Sequence, residues 1–201
     1  MCLIIFAYKV VPEVPLIVAA NRDEWFNRPA LPAGFWADHP HVVAGRDLQA
    51  SGTWLGATRS GRFAALTNYR NPDEPRMDAP TRGGLVSGFL AGRQSAPEYL
   101  EALRNGADRY NGFSMLAADD SGMFWFSNRG AGQVQEIPPG VHGLSNHLLN
   151  TPWPKVIKGC EGMRRLLEQS FSASAYLDLM DDSVPEGERG LLAQPDTWTL
   201  E

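Results

Sequence analysis

The chain has 201 residues and is 43% hydrophobic, which is enough apolar material for a sizeable core and argues against intrinsic disorder. Its formal net charge is −5 and three of its 18 basic residues are lysines, so we expect no nucleic-acid partner. The longest apolar run, residues 14–20, contains Pro15 and is too short to cross a bilayer, and the N-terminus lacks signal-peptide features. We therefore expect a cytoplasmic protein with no integral membrane segment and two free thiols.

The first part of the chain predicts mainly β-strands. Apolar runs at residues 3–7 and 16–20 predict a β-hairpin, whereas residues 26–41 contain three prolines and predict a loop. Further strands are predicted at residues 42–44, 53–57 and 62–67. From Thr81 the apolar spacing becomes helical, and Ser95 is predicted to cap a second helix.

The second part repeats this change from strands to helices. A four-stranded meander is predicted at residues 113–117, 123–127, 134–137 and 141–145. An apolar stripe through Cys160 and a shorter one through Tyr176, Leu177 and Met180 predict two more helices. This order predicts an α+β fold, with two stacked, mainly antiparallel sheets and helices on the outer faces. We predict one domain over residues 1–182 and a weakly ordered tail over residues 183–201.

Cys2 is the first candidate for chemistry because removal of Met1 would make it the N-terminal residue. A free α-amine titrates at roughly pH 7.7–8.0, so part of it is neutral at physiological pH and could act as a base for the adjacent thiol. An attached methionine would turn that amine into an amide without basicity. The alternative is that Cys2 is a small hydrophobic residue at the start of a buried strand.

The cluster Asn21-Arg22-Asp23-Glu24 follows the second strand of the predicted hairpin. Antiparallel pairing would return this cluster to Cys2, where Arg22 could lower the pKa of the thiol and Asp23 could hold the α-amine. The alternative is a solvated turn. Asn68 and Asn146 each follow a predicted strand and could donate to an oxyanion, although asparagine is also a common turn residue.

These motifs resemble the NRDE-motif family of transport and Golgi organisation proteins. The resemblance covers about five-sixths of the chain. It rests on Met1-Cys2-Leu3, the NRDE tetrapeptide at residues 21–24, the segment 26–30, Gly52-Thr53-Trp54-Leu55-Gly56, the strand end 66–70, Arg82-Gly83, the segment 110–113, Gly143-Leu144-Ser145-Asn146 and the segment 152–155.

The family is more distantly similar to cysteine N-terminal-nucleophile hydrolases of the bile-salt and penicillin-V acylase type. That resemblance implies an αββα sandwich and hydrolysis of a non-peptide carbon–nitrogen amide bond in a small-molecule substrate, without cofactor or metal. It assigns catalytic roles to Cys2, Arg22, Asp23, Asn68 and Asn146, with Asp23 the looser match. The residues we expect to bind substrate are Asn21, Glu24, Trp54, Tyr69 and His142.

The resemblance also implies an alternative function, because the family is implicated in haem handling and in lipid or coenzyme A metabolism. A non-catalytic carrier on the same scaffold would hold haem or an acylated ligand, with Cys2, His142 or His147 as iron ligands. Trp25, Trp54 and Tyr69 would line its cleft. The resemblance further leads us to expect closing strands beyond residue 201, so we predict an open sheet edge and a tendency to form a homo-oligomer.

Overall fold

The computed structural model describes residues 2–24, 27–70, 76 and 78–181. The strands are β1 (Leu3–Val11), β2 (Val14–Asn21), β3 (Ala30–Phe35), β4 (Val42–Asp47), β5 (Leu55–Thr58), β6 (Phe63–Asn68), β7 (Phe113–Asp119), β8 (Gly122–Ser127), β9 (Gln135–Glu136) and β10 (Gly140–Leu144). The helices are α1 (Gly83–Ala91), α2 (Ala96–Arg104), α3 (Pro154–Leu167) and α4 (Ala173–Leu179), with a short 3-10 turn at Ala107–Arg109.

The described chain divides into two compact units. The first contains Cys2, Arg22–Pro138 and Ser145–Leu149, and the second contains Leu3–Asn21, Pro139–Leu144 and the described residues from Asn150 onward. A seven-stranded sheet of order β3-β4-β5-β6-β7-β8-β9 forms the first unit with α1 and α2, and a three-stranded sheet of order β10-β1-β2 forms the second with α3 and α4. All neighbouring strands are antiparallel, which confirms the α+β class with two antiparallel sheets.

The core of the first unit lies between α1, α2 and one face of the large sheet. Phe89 of α1 and Leu100 of α2 are fully buried and belong to one cluster with Met115 of β7. The capping of α2 agrees with the sequence, because both the amide and the hydroxyl of Ser95 donate to the carboxylate of Glu98. Such a cap contributes about 1 kcal/mol and fixes where the helix begins.

In the second unit, the apolar stripe of α3 packs on β1. Ile5 and Ala7 of β1 form a buried cluster with Val156, Cys160 and Met163 of α3. Burial raises the pKa of the Cys160 thiol, which disfavours the reactive thiolate. Cys160 is therefore a core residue, as its place in the helical stripe predicted.

Two of the expected strand assignments were wrong. The predicted loop at residues 26–41 contains the edge strand β3, in which all six residues are exposed and Pro32 lies where the register with β4 shifts. An edge strand tolerates proline because one side of it needs no ladder hydrogen bonds. The predicted meander ends at β9, since β10 pairs with β1 instead.

Two further expectations concern the C-terminal part. Leu177, predicted to share an apolar stripe with Tyr176, is 73% exposed, whereas Tyr176 is buried. The short helix α4 therefore uses a narrower apolar face than the sequence suggested. The predicted tail at residues 183–201 lies outside the described residues, and the single domain over residues 1–182 stays a prediction.

Gly52, which precedes β5 and lies against Gly83, and Gly84 of α1 offer a matched test of packing. A Cβ on Gly52 would lie 2.4 Å from the carbonyl carbon of Gly83, whereas a Cβ on Gly84 would meet nothing within 4 Å. We expect Gly52→Ala to destabilise the protein by about 1–3 kcal/mol because backbone must move. Gly84→Ala should stabilise it by up to about 1 kcal/mol through helix propensity. Thermal melts of both variants test this, and equal melting temperatures would contradict it.

Candidate functional site

The β1–β2 hairpin determines which residues flank its open end. Its register pairs Leu3 with Asn21, so Cys2 immediately precedes one paired residue and Arg22 immediately follows the other. The Sγ of Cys2 lies 3.9 Å from the backbone carbonyl oxygen of Asp23. The nucleophile candidate and the first half of the charged cluster are thus neighbours.

A cavity of about 650 Å³ lies within the first unit at this point. Its volume falls within the range of small-molecule binding sites. Six of the residues singled out from the sequence line it, namely Cys2, Arg22, Asp23, Glu24, Trp54 and Asn68. The wall also contains charged residues for which the sequence predicted no role in the site, namely Arg28, Arg46, Asp47 and Arg82.

Ion pairs organise one wall of the cavity. A guanidinium nitrogen of Arg22 lies 3.0 Å from a carboxylate oxygen of Glu24, and Arg28 donates to Asp47 at 2.7 Å. Arg22 is also 3.8 Å from Asp47, which links the two pairs. Burial alone would raise the pKa of Asp47, but hydrogen bonds from Arg28 and from backbone amides outweigh it and hold the pKa below its usual value. Asp47 therefore stays ionised and keeps both arginines in place.

Arg82, at the N-terminal end of α1, adds a further guanidinium to the lining of the cavity. One of its terminal nitrogens donates to the carbonyl oxygen of Gly112 at 2.8 Å. Burial lowers the pKa of this guanidinium, and the charge of Glu24 acts in the opposite direction. The sequence marked Arg82 only as part of the Arg82-Gly83 motif that carries the family resemblance, because no local pattern connects it with Cys2.

Asn68 ends β6 and presents its amide to the cavity. Its side chain forms no hydrogen bond with any residue that the structure describes, so both N–H groups of the amide are available to a ligand. A primary amide beside a nucleophile is a suitable donor to an oxyanion. The oxyanion role that the resemblance implies for Asn68 stays a prediction.

Asn146 contacts the backbone of Asn68. It is 8% exposed, and its Nδ2 donates to the backbone carbonyl oxygen of Asn68 at 3.1 Å. The preceding residue, Ser145, donates from its hydroxyl to the carbonyl oxygen of Cys2 at 2.8 Å, and accepts a hydrogen bond from Thr67 at its own carbonyl. Residues 145–146 therefore anchor both Cys2 and Asn68, and direct oxyanion binding by Asn146 stays a prediction.

Tyr69 and His147 form a pair of their own. The hydroxyl of Tyr69 lies 2.7 Å from Nε2 of His147, and the ring centroids are 4.6 Å apart. The backbone carbonyl of His147 accepts from the hydroxyl of Ser114. These contacts hold the segment after Asn146 against the start of β7, and the role of Tyr69 toward a substrate stays a prediction.

The remaining two candidates belong to the second unit. The ring of His142 stacks on Phe6 with centroids 5.3 Å apart, and its Nδ1 lies 3.0 Å from Nδ2 of Asn150. Nδ2 of Asn21 lies 3.5 Å from the carbonyl oxygen of Met180. Their substrate-binding roles stay predictions. Trp25, suggested as a lining residue of a carrier, lies outside the described residues.

Comparison with known proteins identifies the family of this chain. The family model described as Transport and Golgi organisation 2 matches residues 1–191. The chain belongs to this family. The mouse Transport and Golgi organization 2 homolog is 40% identical over 183 residues, covering 85% of this chain and 66% of the relative. The human homolog is 38% identical over 182 residues, covering 84% of this chain and 64% of the relative. The chain thus spans about two thirds of the length of these relatives.

A solved structure shows what the fold resembles. The Caenorhabditis elegans ortholog of N-acylethanolamine-hydrolyzing acid amidase superposes with a TM-score of 0.59 at 10% identity, over 90% of this chain and 86% of that one. The chain therefore has an N-terminal-nucleophile hydrolase type of fold, which confirms the predicted fold class. In the part of the chain that the structure describes, no helix combines the length and apolar character needed to span a membrane.

Proposed function

We propose that the chain is an N-terminal-nucleophile-type hydrolase that cleaves a non-peptide carbon–nitrogen amide bond with Cys2. The observation that carries this proposal is that Cys2, Arg22 and Asn68 line a single cavity of about 650 Å³. A nucleophile, a cation and a free amide donor in one concave site are the parts that acyl transfer needs. The likeness of the fold to that of an amidase supports the proposal.

The reaction requires that Met1 be removed, so that Cys2 carries a free α-amine. The thiol of Cys2 then adds to the amide carbonyl carbon while its proton passes to that amine, and the side-chain amide of Asn68 donates to the new oxyanion. The carbon–nitrogen bond breaks, and the leaving amine takes the proton from the α-amine. Water, deprotonated by the same α-amine, cleaves the thioester and releases the carboxylic acid and the thiol.

The neighbouring residues would position these groups. The hydroxyl of Ser145 holds the carbonyl oxygen of Cys2, so the thiol and the α-amine of the same residue keep a defined orientation. Asn146 holds the backbone at Asn68 in the same way. Arg22, itself fixed by Glu24, would stabilise the thiolate or orient the substrate carbonyl, and Asp23 would hold the protonated amine.

The test of this proposal is intact mass spectrometry with and without a thiol-selective acylating probe. We expect the purified protein to lack Met1 and to gain one acyl group at Cys2, because burial protects Cys160. Peptide mapping locates the label, and the Cys160→Ala variant serves as the matched control that should label equally. A protein that retains Met1, or labelling confined to Cys160, would contradict the proposal.

The second candidate, which follows from the family resemblance, is a non-catalytic carrier of haem or an acylated ligand with the cavity of about 650 Å³ as its binding site. Ligand binding by the mature protein without any cleavage of that ligand, while Cys2 is intact, would favour it. A haem titration followed at the Soret band tests the haem version, in which Cys2 is the predicted iron ligand that lines this cavity. For either candidate we propose a cytoplasmic location and homo-oligomer formation, the latter because β3 exposes a sheet edge.

A further inference from the structure

Four arginines line the cavity, and three of them are held by carboxylates. An arginine that is already paired has little charge left to offer a ligand, because its strongest hydrogen bonds are in use. The pairs, given as the shortest distance between guanidinium nitrogen and carboxylate oxygen, are Arg22–Glu24 at 3.0 Å, Arg28–Asp47 at 2.7 Å and Arg46–Asp38 at 2.7 Å.

Arg82 is the fourth, and it differs from the others. Among the residues that the structure describes, none places a carboxylate oxygen within 4.0 Å of its guanidinium. One of its five N–H groups is used by the carbonyl oxygen of Gly112, a neutral acceptor. Burial lowers the pKa of Arg82 by more than the charge of Glu24 raises it, so the charged form still gains from an anion that reaches the guanidinium directly. The guanidinium thus has both the free donors and the electrostatic reason to bind an anionic ligand.

We infer that Arg82 binds a carboxylate of the ligand that occupies this cavity, so that the substrates are amides carrying one carboxylate. A guanidinium matches a carboxylate with two parallel hydrogen bonds. A single unpaired arginine balances a single negative charge, whereas a polyphosphate group would need several free cations. The inference rests on the proposed function, and it names the substrate class of the same site.

The test uses the mature Cys2→Ala protein, which binds without turning over. Calorimetry compares N-octanoylglycine with N-octanoylglycinamide, two amides with the same acyl chain that differ in one carboxylate. We expect the carboxylate to bind roughly 10–100-fold more tightly, as a charge-assisted hydrogen bond in a partly buried site contributes. Arg82→Gln, added to this protein, should bring the two affinities together. Arg82→Lys should keep part of the preference for the carboxylate ligand, since the positive charge remains but the two parallel hydrogen bonds of the guanidinium are lost.

The matched control is Arg104→Gln, which removes the same charge from an exposed arginine of α2 that pairs with Glu101. It should leave the preference unchanged. A third ligand, the cationic amide of octanoic acid with ethylenediamine, tests the inference without any variant at Arg82, and we expect it to bind most weakly. Circular dichroism confirms that Arg82→Gln is folded before it is compared.

The outcomes separate this inference from the proposed function. No binding of either glycine compound, equal binding of both, or a preference that survives in folded Arg82→Gln would overturn the role of Arg82. A preference that depends on Arg82, in a protein whose Cys2 form cleaves no amide, would support the inference and overturn the hydrolase proposal. Cleavage without any preference for the carboxylate would do the reverse.

Discussion

Replacing Cys2 with alanine is expected to lower amide cleavage by roughly 10³-fold or more, as removal of a nucleophile does in other acyl-transfer enzymes. Alanine keeps the free α-amine and the backbone carbonyl that Ser145 holds, so only the thiol is lost. Ligand affinity should therefore stay nearly unchanged. The measurement is release of aminocoumarin from a series of acyl-aminocoumarin amides by protein whose N-terminus has been confirmed by mass, beside calorimetric binding of the same acyl acids.

Cys160→Ala is the control for loss of a thiol. That side chain belongs to α3 and is buried in the core of the second unit, and burial raises its pKa. Its removal should therefore leave cleavage unchanged. The cleavage rate of Cys2→Ser should lie between those of Cys2→Ala and Cys160→Ala, because a hydroxyl is a weaker nucleophile than a thiol at the same position. Retained cleavage in Cys2→Ala would exclude Cys2 as the nucleophile and would move the proposed function to another residue.

The strand register explains why part of the site was predictable. Two continuous apolar runs separated by a polar stretch predict a hairpin, and its pairing of Leu3 with Asn21 follows once the two runs face each other. That single local element brings the nucleophile candidate and the NRDE cluster together. Asn68 could likewise be placed at a strand end, because the apolar run of β6 ends where the polar residues begin.

The rest of the site depends on contacts between distant parts of the chain. Arg28 and Asp47 lie in segments that meet only because β3 pairs with β4. The sequence did not predict β3, because its residues are exposed and it contains Pro32. Exposed edge strands lack the apolar alternation by which strands are recognised. The bond from Asn146 to the backbone of Asn68 joins residues 78 positions apart, so no local pattern could assign it.

Asn68→Ala is expected to reduce the turnover number for amide cleavage by roughly 10²–10³-fold, the effect of removing one side-chain donor from an oxyanion site. KM should change little, because the oxyanion exists only in the transition state and the ground-state amide needs this donor less. The fold should tolerate the change, since Asn68 is exposed at the end of β6 and its side chain bonds to none of the described residues. Steady-state kinetics on the acyl-aminocoumarin amides measure both constants.

Asn105→Ala is the matched control, because Asn105 is an exposed asparagine at the end of α2 and does not line the cavity. Asn146→Ala distinguishes a donor to the oxyanion from a residue that only holds the backbone at Asn68. It removes the hydrogen bond to the carbonyl oxygen of Asn68, so it should lower both the turnover number and the melting temperature. If Asn68→Ala raised KM and left the turnover number unchanged, Asn68 would bind the substrate in its ground state, and the oxyanion would have to be stabilised by another group.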